Sequence, residues 1–336
     1  MKLGLTLGYW GRQPPPDMLD AARTAEALGF DSVWVAESWV NYAFTYAAYI
    51  AAQTSRIRIG TGIVQMSART PTATAMAAVT LDHLSGGRVI LGLGVSGPQV
   101  VEGWYGQPSN RPLARTREYV EIIRRVLRRA EPLSFDGEFY RFPYDGPGSQ
   151  GLGKPLRIMT HPLRADLPIV LGAEGPKNVA QTAEIADGWL PLYYSPWRQE
   201  VYADQLTAAK PGFEIAALCN VVVTDDVAAG LYPVKAMLAF YIGGMGAKGQ
   251  NFHTKLMARM GFEEEANRIQ ELFFAGDREA AFKAVPDEFA DEIALVGPPA
   301  RIRERLEMWR TSPVTTLLVT TRDTDQLRQI ADLVQG

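Results

Sequence analysis

The strongest constraint on the fold is a regular alternation of short apolar strands and helices in the first hundred residues. The pattern predicts four strands, at residues 3–7, 32–35, 57–64 and 89–93. Helical stretches separate them, and a helix between two strands of one sheet requires those strands to run parallel. The amino-terminal part of the chain is therefore predicted to be a parallel α/β structure.

Four further strands are predicted near residues 169, 189, 215 and 315. Eight strand–helix units favour a closed (β/α)8 TIM barrel over an open doubly wound sheet. Residues 131–167, rich in Gly, Pro and aromatics, are predicted to form an inserted excursion after the fourth strand. A helical stretch over about residues 228–284, interrupted by glycines, is predicted as a second excursion before strand eight. One domain over residues 1–336 is expected.

Composition excludes several classes of protein. Lys and Arg total 34 against 37 Asp and Glu, a net charge of −3 without the basic patch that nucleic acid selects. No apolar run is long enough to predict a membrane span. The single cysteine, Cys219, excludes an intrachain disulfide, predicts buried packing and favours a cytoplasmic location. His83, His161 and His253 lack ligand spacing, so no metal site is expected.

The residues that follow each predicted strand should line the active site, because barrels of this class carry their chemistry at the carboxyl ends of the strands. These residues are aromatic and glycine-rich, with one early carboxylate, which suits a large planar cofactor better than hydrolytic chemistry. They are Gly8, Tyr9, Trp10 and Gly11, then Glu37, Ser38 and Trp39, then residues 62–66, 92–97 and 172–177.

Simpler interpretations remain open for each of these features. Residues 92–97, GLGVSG, match a dinucleotide fingerprint, but turn glycines explain the match equally well. Residues 175–178 either offer backbone N–H groups to a phosphate or simply begin a helix. A solvated loop position would account for Glu37, and packing at the barrel mouth would account for Tyr9 and Trp10.

Five stretches together resemble the luciferase-like monooxygenase superfamily, and most of all its actinobacterial branch that depends on the deazaflavin coenzyme F420. They are residues 29–39 (GFDSVWVAESW), 55–71, 80–106, 151–179 and 183–191 (AEIADGWLP). The resemblance covers nearly the whole chain and is densest over residues 1–190. It implies a barrel with an excursion after the fourth strand, and a homodimer.

The resemblance also implies roles for individual residues. Gly62, Ile63 and Val64 match a third-strand bulge in which a non-prolyl cis peptide, here Gly62–Ile63, supports the deazaflavin ring. Glu37 matches an acidic position close to that ring. The resemblance further implies that one loop contacts the side chain of the cofactor, and this loop consists of Gly94, Val95, Ser96 and Gly97. A second loop should receive the phosphate of the cofactor, and it consists of Ala173, Glu174, Gly175 and Pro176.

One departure from the family is of consequence. The sugar-phosphate dehydrogenases of this branch have a proton-transferring histidine where this chain has Ser38, so glucose-6-phosphate oxidation is not expected. Glu37 or Tyr9 is our hypothesis for the proton donor. Substitution of the responsible residue should slow turnover far more than it weakens cofactor binding.

The resulting functional prediction is hydride transfer between reduced F420 and a small organic molecule with a polarised C=C, C=N or C=O bond. The substrate is expected to contact Trp10, Trp39 and Met66, with Phe240 and Phe252 from the carboxyl-terminal helices. An FMN-dependent monooxygenase on the same barrel is one alternative. A flavin- or deazaflavin-binding protein without turnover is another.

Overall fold

A closed barrel of eight parallel strands forms the centre of the computed structural model, which describes residues 1–246 and 251–336. Each strand pairs with its neighbour in the chain, and the last strand pairs with the first, which closes the barrel. The predicted TIM barrel is therefore confirmed. The barrel strands of the described residues are β1 (Lys2–Thr6), β2 (Ser32–Val35), β3 (Arg58–Thr61), β4 (Val89–Gly94), β5 (Ile169–Gly172), β6 (Gly188–Leu190), β7 (Glu214–Val223) and β8 (Thr316–Val319).

Helices cover the outside of the barrel. Several begin with proline in the first turn, where the missing N–H costs no hydrogen bond; Pro71 is one, and the Thr70 hydroxyl accepts from the Ala73 N–H there at 3.2 Å. The helices of the described residues are Met18–Ala27, Ala43–Ala51, Pro71–Ser85, Pro98–Gly103, Pro112–Arg128, Pro176–Ile185, Glu200–Ala203, Val227–Ala239, Phe252–Arg259, Glu263–Phe274, Arg278–Lys283, Asp287–Glu292, Pro299–Thr311 and Thr324–Gln335.

The third strand is shorter than the sequence predicts. β3 ends at Thr61, and the Gly62–Ile63 peptide that follows is cis, as the resemblance implied. The chain then resumes as a two-residue strand, Val64–Gln65, which pairs with the carboxyl end of β4. Ile63 is therefore placed between two strand segments at the mouth of the barrel.

The first predicted excursion is confirmed between the helix Pro112–Arg128 and β5. It carries a small antiparallel sheet of Phe135–Asp136 and Arg141–Phe142. A bridge between Leu133 and Leu156 holds its two ends together.

The second excursion differs in part from the prediction. A helix continues from Val227 through a π turn at Phe240–Gly244, and shorter helices follow. Residues 247–250, within the predicted helical stretch, lie outside the described residues. The sequence missed the strand Ala294–Gly297, which pairs with the carboxyl end of β7. Four apolar residues directly after a helix give no period that distinguishes a strand from another turn of helix.

One helix of the described residues, Val227–Gly244, is long and apolar enough to cross a membrane by length and composition alone. It packs against the helices Arg278–Lys283 and Asp287–Glu292 and against the strand Ala294–Gly297. These contacts place the helix within the second excursion.

The interior of the barrel is filled by a separate cluster of buried apolar side chains, which includes Trp34, Ile90 and Val170. Cys219 belongs to the larger core outside it and is fully buried, as predicted. Burial raises the pKa of the Cys219 thiol well above its ordinary value, so the thiol stays protonated.

An ion-pair network spans the amino-terminal face of the barrel. Arg58, at the start of β3, donates to both carboxylate oxygens of Glu214, at the start of β7, at 2.9 and 3.0 Å. The same guanidinium binds Asp31, and the Thr316 hydroxyl donates to Glu214 at 2.8 Å. These bonds join strands on opposite sides of the barrel, at the face where residues serve stability rather than catalysis.

Candidate active site

A cavity of about 1390 Å³ opens at the carboxyl ends of the barrel strands. Its floor consists of side chains that point into the barrel, among them Trp34, Leu218 and Leu318. The loops after the strands and the helix Phe252–Arg259 form its walls. The cavity lies where (β/α)8 enzymes bind their substrates, and its volume exceeds that of an ordinary small-molecule site.

Almost all residues that the resemblance assigned to a cofactor line this one cavity. Val64 is the exception, because its side chain is fully buried beneath the surface. The residues that line the cavity are Glu37, Gly62, Ile63, Gly94, Val95, Ser96, Gly97, Ala173, Glu174, Gly175 and Pro176. The structure thus brings together, around one cavity, positions that are far apart in the sequence.

Close packing requires glycine at two positions of the GLGVSG stretch, Gly92 and Gly94. A Cβ at Gly92 would lie 1.8 Å from the Thr61 carbonyl oxygen, and one at Gly94 would lie 2.5 Å from the Ile63 side chain. Ser96 takes the left-handed conformation, with φ of 62°. Contact between β3 and β4 therefore explains these glycines, which favours the structural interpretation over a dinucleotide fingerprint.

Glu37 is buried and its carboxylate is saturated with hydrogen bonds. One oxygen accepts from the Gln65 N–H at 2.9 Å and the other from the Ala43 N–H at 3.0 Å. Arg69 Nη2 donates to both oxygens, at 2.9 and 2.8 Å. Glu37 can act as a proton donor only if it gives up one of these bonds. The geometry therefore favours a role in organising the barrel mouth over the proton donation that the sequence suggested.

The predicted substrate residues are only partly gathered at the cavity. Trp39 and Phe252 line it, and both are about half exposed. Met66 is buried and lines a small neighbouring cavity of about 80 Å³. Trp10 packs edge-on against Tyr46, with ring centroids 5.3 Å apart, and Phe240 contacts Phe273. Trp10, Met66 and Phe240 therefore lie outside the lining of the main cavity, and their contact with substrate stays a prediction.

Trp10 and Phe240 lie outside the lining of the main cavity for the same reason. Each has an aromatic neighbour that does line the cavity, Tyr9 beside Trp10 and Tyr241 beside Phe240. Sequence identifies an aromatic pair at the end of a strand or helix, but only the backbone direction decides which ring faces inward.

Tyr9 and Tyr241 form a pair of hydroxyl groups in the cavity wall. The Tyr9 and Tyr241 hydroxyls lie close enough to interact with each other. Burial raises the pKa of both hydroxyls, and the interaction with Tyr241 offsets this only in part for Tyr9. Both groups therefore stay protonated near neutral pH, and Tyr9 keeps its own proton available to a ligand.

The second excursion contributes residues that sequence reasoning missed. Tyr241, His253, Lys255 and Arg259 line the cavity, although they lie far along the chain from the other site residues. His253 was noted in the sequence only as a residue without ligand spacing. The available signal was a helix with His and two basic residues at i, i+2 and i+6, but nothing in the sequence places that helix over the barrel mouth.

One end of the cavity is basic. Lys177, Lys255 and Arg259 line it, and Arg259 donates to the Glu174 carbonyl oxygen just before the first turn of the helix Pro176–Ile185. The first N–H groups of a helix have no partner within the helix and attract anions. The cavity therefore joins an apolar barrel mouth to an end that suits a phosphate or carboxylate.

A closed barrel with a large cavity at the carboxyl ends of its strands is the arrangement of (β/α)8 enzymes. Residues 4–316 match the family model described as luciferase-like monooxygenase. The chain belongs to this family.

Curated relatives and solved structures agree with that assignment. The chain is 51% identical, over 99% of each sequence, to a coenzyme F420-dependent oxidoreductase of Mycobacterium tuberculosis, so named provisionally. It is 29% identical to the 5,10-methylenetetrahydromethanopterin reductase of Archaeoglobus fulgidus, over 88% of this chain and 86% of the relative.

Among solved structures, the F420-dependent tetrahydromethanopterin reductase of Methanopyrus kandleri superposes with a TM-score of 0.80 at 23% identity, over 99% of this chain and 98% of the other. The oxygenating component of 3,6-diketocamphane monooxygenase from Pseudomonas putida, in complex with FMN, gives a TM-score of 0.62 at 18% identity, over 99% and 95%. At these identities the likeness shows the fold.

Proposed function

We propose that this protein is an F420-dependent oxidoreductase that transfers a hydride between the reduced deazaflavin and a small organic substrate. The observation that carries the proposal is the cavity itself, which joins an apolar pocket at the barrel mouth to a basic end at a helix start. A relative with 51% identity that is provisionally named as F420-dependent supports the choice of cofactor.

The residues present fit such a cofactor. Ile63 lies against Gly94 and Gly172, where a Cβ on either glycine would meet its side chain at 2.5 and 3.4 Å. The two glycines therefore let Ile63 pack closely onto the strands, and Ile63, which lines the cavity, offers an apolar surface that suits a planar ring. Lys177 and the first turn of the helix Pro176–Ile185 would hold the phosphate. When bound, the deazaflavin supplies the hydride chemistry.

The protein's own contribution is to orient the substrate and exclude water. The floor of the cavity, with Trp34, Leu218 and Leu318, offers an apolar surface to the substrate. Tyr9 lines the cavity and can donate a hydrogen bond to a carbonyl or imine there, since burial keeps the pKa of its hydroxyl above the ordinary value. An apolar substrate with one polarised double bond is the class that this lining suits.

A second candidate is an FMN-dependent monooxygenase. The P. putida oxygenase that shares this fold was solved with FMN, and an apolar, phosphate-accepting cavity does not by itself distinguish a flavin from a deazaflavin. A third candidate is a protein that binds a flavin or deazaflavin without turnover. For the assembly, we propose a homodimer.

Parallel titrations with F420 and with FMN, followed by tryptophan fluorescence, test the proposal. We expect F420 to bind with a Kd in the micromolar range or below, about 8 kcal/mol of binding free energy, and FMN to bind more weakly. Reduced F420 is then offered acetone, cyclohex-2-enone and 1-pyrroline as C=O, C=C and C=N probes. Preference for FMN would refute the cofactor assignment and make oxygen consumption the next assay.

A further inference from the structure

Two buried polar atoms face each other behind the cavity wall. His253 Nδ1 lies 3.7 Å from Glu174 Oε2, and both side chains are about 85% buried. Within residues 1–246 and 251–336, neither atom has a hydrogen-bond partner. The other Glu174 oxygen accepts from the Leu192 N–H at 3.1 Å, which fixes the carboxylate in place. A buried acceptor and a buried ring nitrogen left unpaired are costly unless a proton lies between them.

The surroundings of this pair are aromatic. The His253 ring packs edge-on against Tyr193 and Tyr241, with ring centroids 5.6 and 5.2 Å apart. Tyr202 and Arg259 also lie near Glu174, and Arg259 donates to the Glu174 carbonyl oxygen at 3.0 Å. Tyr9 and Lys255 line the same cavity. The edge of His253 that faces away from Glu174 is the one that can reach the cavity, because His253 also lines it.

We propose that His253 is the catalytic proton donor of the reaction, and that Glu174 is the positioning residue that holds its ring. This inference rests on the proposed hydride transfer and adds the acid that reaction requires. Glu37 is saturated with hydrogen bonds, and burial raises the pKa of Tyr9 further from neutrality. Histidine is the side-chain type whose ordinary pKa lies closest to neutral pH, which suits a general acid.

The proton and electron balance is simple. The hydride adds to one atom of the substrate double bond, and the π electron pair moves to the other atom. His253 gives that atom its proton and becomes neutral, and a proton from solvent restores the imidazolium. Tyr9 and Tyr241 remain protonated throughout, and the Tyr9 hydroxyl holds the substrate's polar atom in place.

The first test requires neither cofactor nor substrate. ¹⁵N NMR of the histidine rings in the full chain reports which ring nitrogen carries a proton. His83→Gln and His161→Gln variants identify the His253 signal without altering the site. We expect Nδ1 of His253 to be protonated, and Glu174→Met to change that state, whereas Glu184→Met, at an exposed glutamate, leaves it unchanged. An unprotonated Nδ1, or no response to Glu174→Met, would overturn the inference that Glu174 holds the His253 ring.

The second test uses turnover with whichever of the three probes the wild-type protein reduces. His253→Gln should lower kcat by about 10²–10⁴-fold while the Kd for F420 stays unchanged. Glu174→Met should shift the pH profile of kcat, and Glu184→Met should not. Full kcat in His253→Gln together with a large loss in Tyr9→Phe would assign the acid to Tyr9 instead.

The two tests separate the two proposals. Failure of F420 to bind refutes the proposed function and leaves the NMR result on the pair standing. Normal F420 binding with an unpaired His253 refutes the inference and leaves the proposed function intact.

Discussion

Glu37 and Arg69 form an ion pair that is almost completely shielded from solvent, with side-chain exposures of 1% and 6%. The guanidinium also lies over the Tyr42 ring, 4.5 Å from its centroid. The pair links the loop after β2 to the segment after β3, because Glu37 also accepts from the Gln65 N–H. Two walls of the cavity therefore depend on one carboxylate.

Glu37→Gln should destabilise the protein strongly. Removing one partner of a buried pair leaves an uncompensated charge, which typically costs about 3–5 kcal/mol. Urea unfolding followed by tryptophan fluorescence measures this cost. The matched control is Glu184→Gln, which breaks the exposed pair with Arg117 and should cost less than about 1 kcal/mol. Equal losses in the two variants would contradict a structural role for Glu37.

Gly92→Ala should also be destabilising, because its new methyl group would meet the backbone of Thr61. Backbone cannot move aside as a flexible side chain can, so we expect a loss of about 1–3 kcal/mol or more. Gly103→Ala is the control, since open space surrounds that position at the end of a helix; it should be neutral or slightly stabilising. Thermal unfolding of the two variants makes the comparison.

Glu214 makes stability depend on acid pH. Burial opposes its ionisation, but the hydrogen bonds and charge of Arg58, with the Thr316 hydroxyl, outweigh burial and hold the pKa of Glu214 below its ordinary value of 4.5. The folded state thus binds fewer protons than the unfolded state, and the stabilisation is complete above pH 4.5 and is lost as pH falls through the folded-state pKa.

Glu214→Gln tests this dependence. The difference in free energy of unfolding between wild type and variant should be constant above pH 4.5 and should shrink below it. Urea titrations across that range measure it. Glu131→Gln, at an exposed position, is the control and should show a far smaller change with pH. A difference that grows on acidification would contradict the network across the barrel face.

The basic end of the cavity should contribute to binding of an anionic cofactor. Lys177→Gln and Lys255→Gln each remove one exposed charge, so each should weaken F420 binding by about two- to fivefold, or 0.4–1 kcal/mol. The loss should diminish at high salt, because exposed charges are screened. Lys283→Gln, which lies on an exposed helix and pairs with Glu279, should leave the Kd unchanged.

Most of the barrel could be predicted from the sequence because each strand–helix unit repeats the same local pattern. Prolines at helix starts and glycines at helix ends, such as Gly86 with φ of 69°, mark the boundaries. The strand Ala294–Gly297 escaped notice because its pairing with β7 is a long-range contact that four apolar residues do not specify.

The candidate site could be predicted only for residues that directly follow a barrel strand. Residues after β2, β3, β4 and β5 reach one cavity because parallel strands end at the same face. His253 and Tyr241 come from helices whose packing over that face is set by tertiary contacts, so no spacing in the sequence reveals them. The saturation of Glu37 by hydrogen bonds is equally invisible without coordinates.

β7 is the longest barrel strand, and the strand Ala294–Gly297 extends the sheet along its upper half. The second excursion is anchored at that extension, outside the eight-strand circuit. Mutations in the excursion can therefore change the wall that it contributes to the cavity, while the cavity surface at Ile63 and Gly94 stays the same. Substitutions confined to this one segment could change which hydride acceptor the protein takes during evolution. For the same reason, the segment could be exchanged between related barrels by protein engineering.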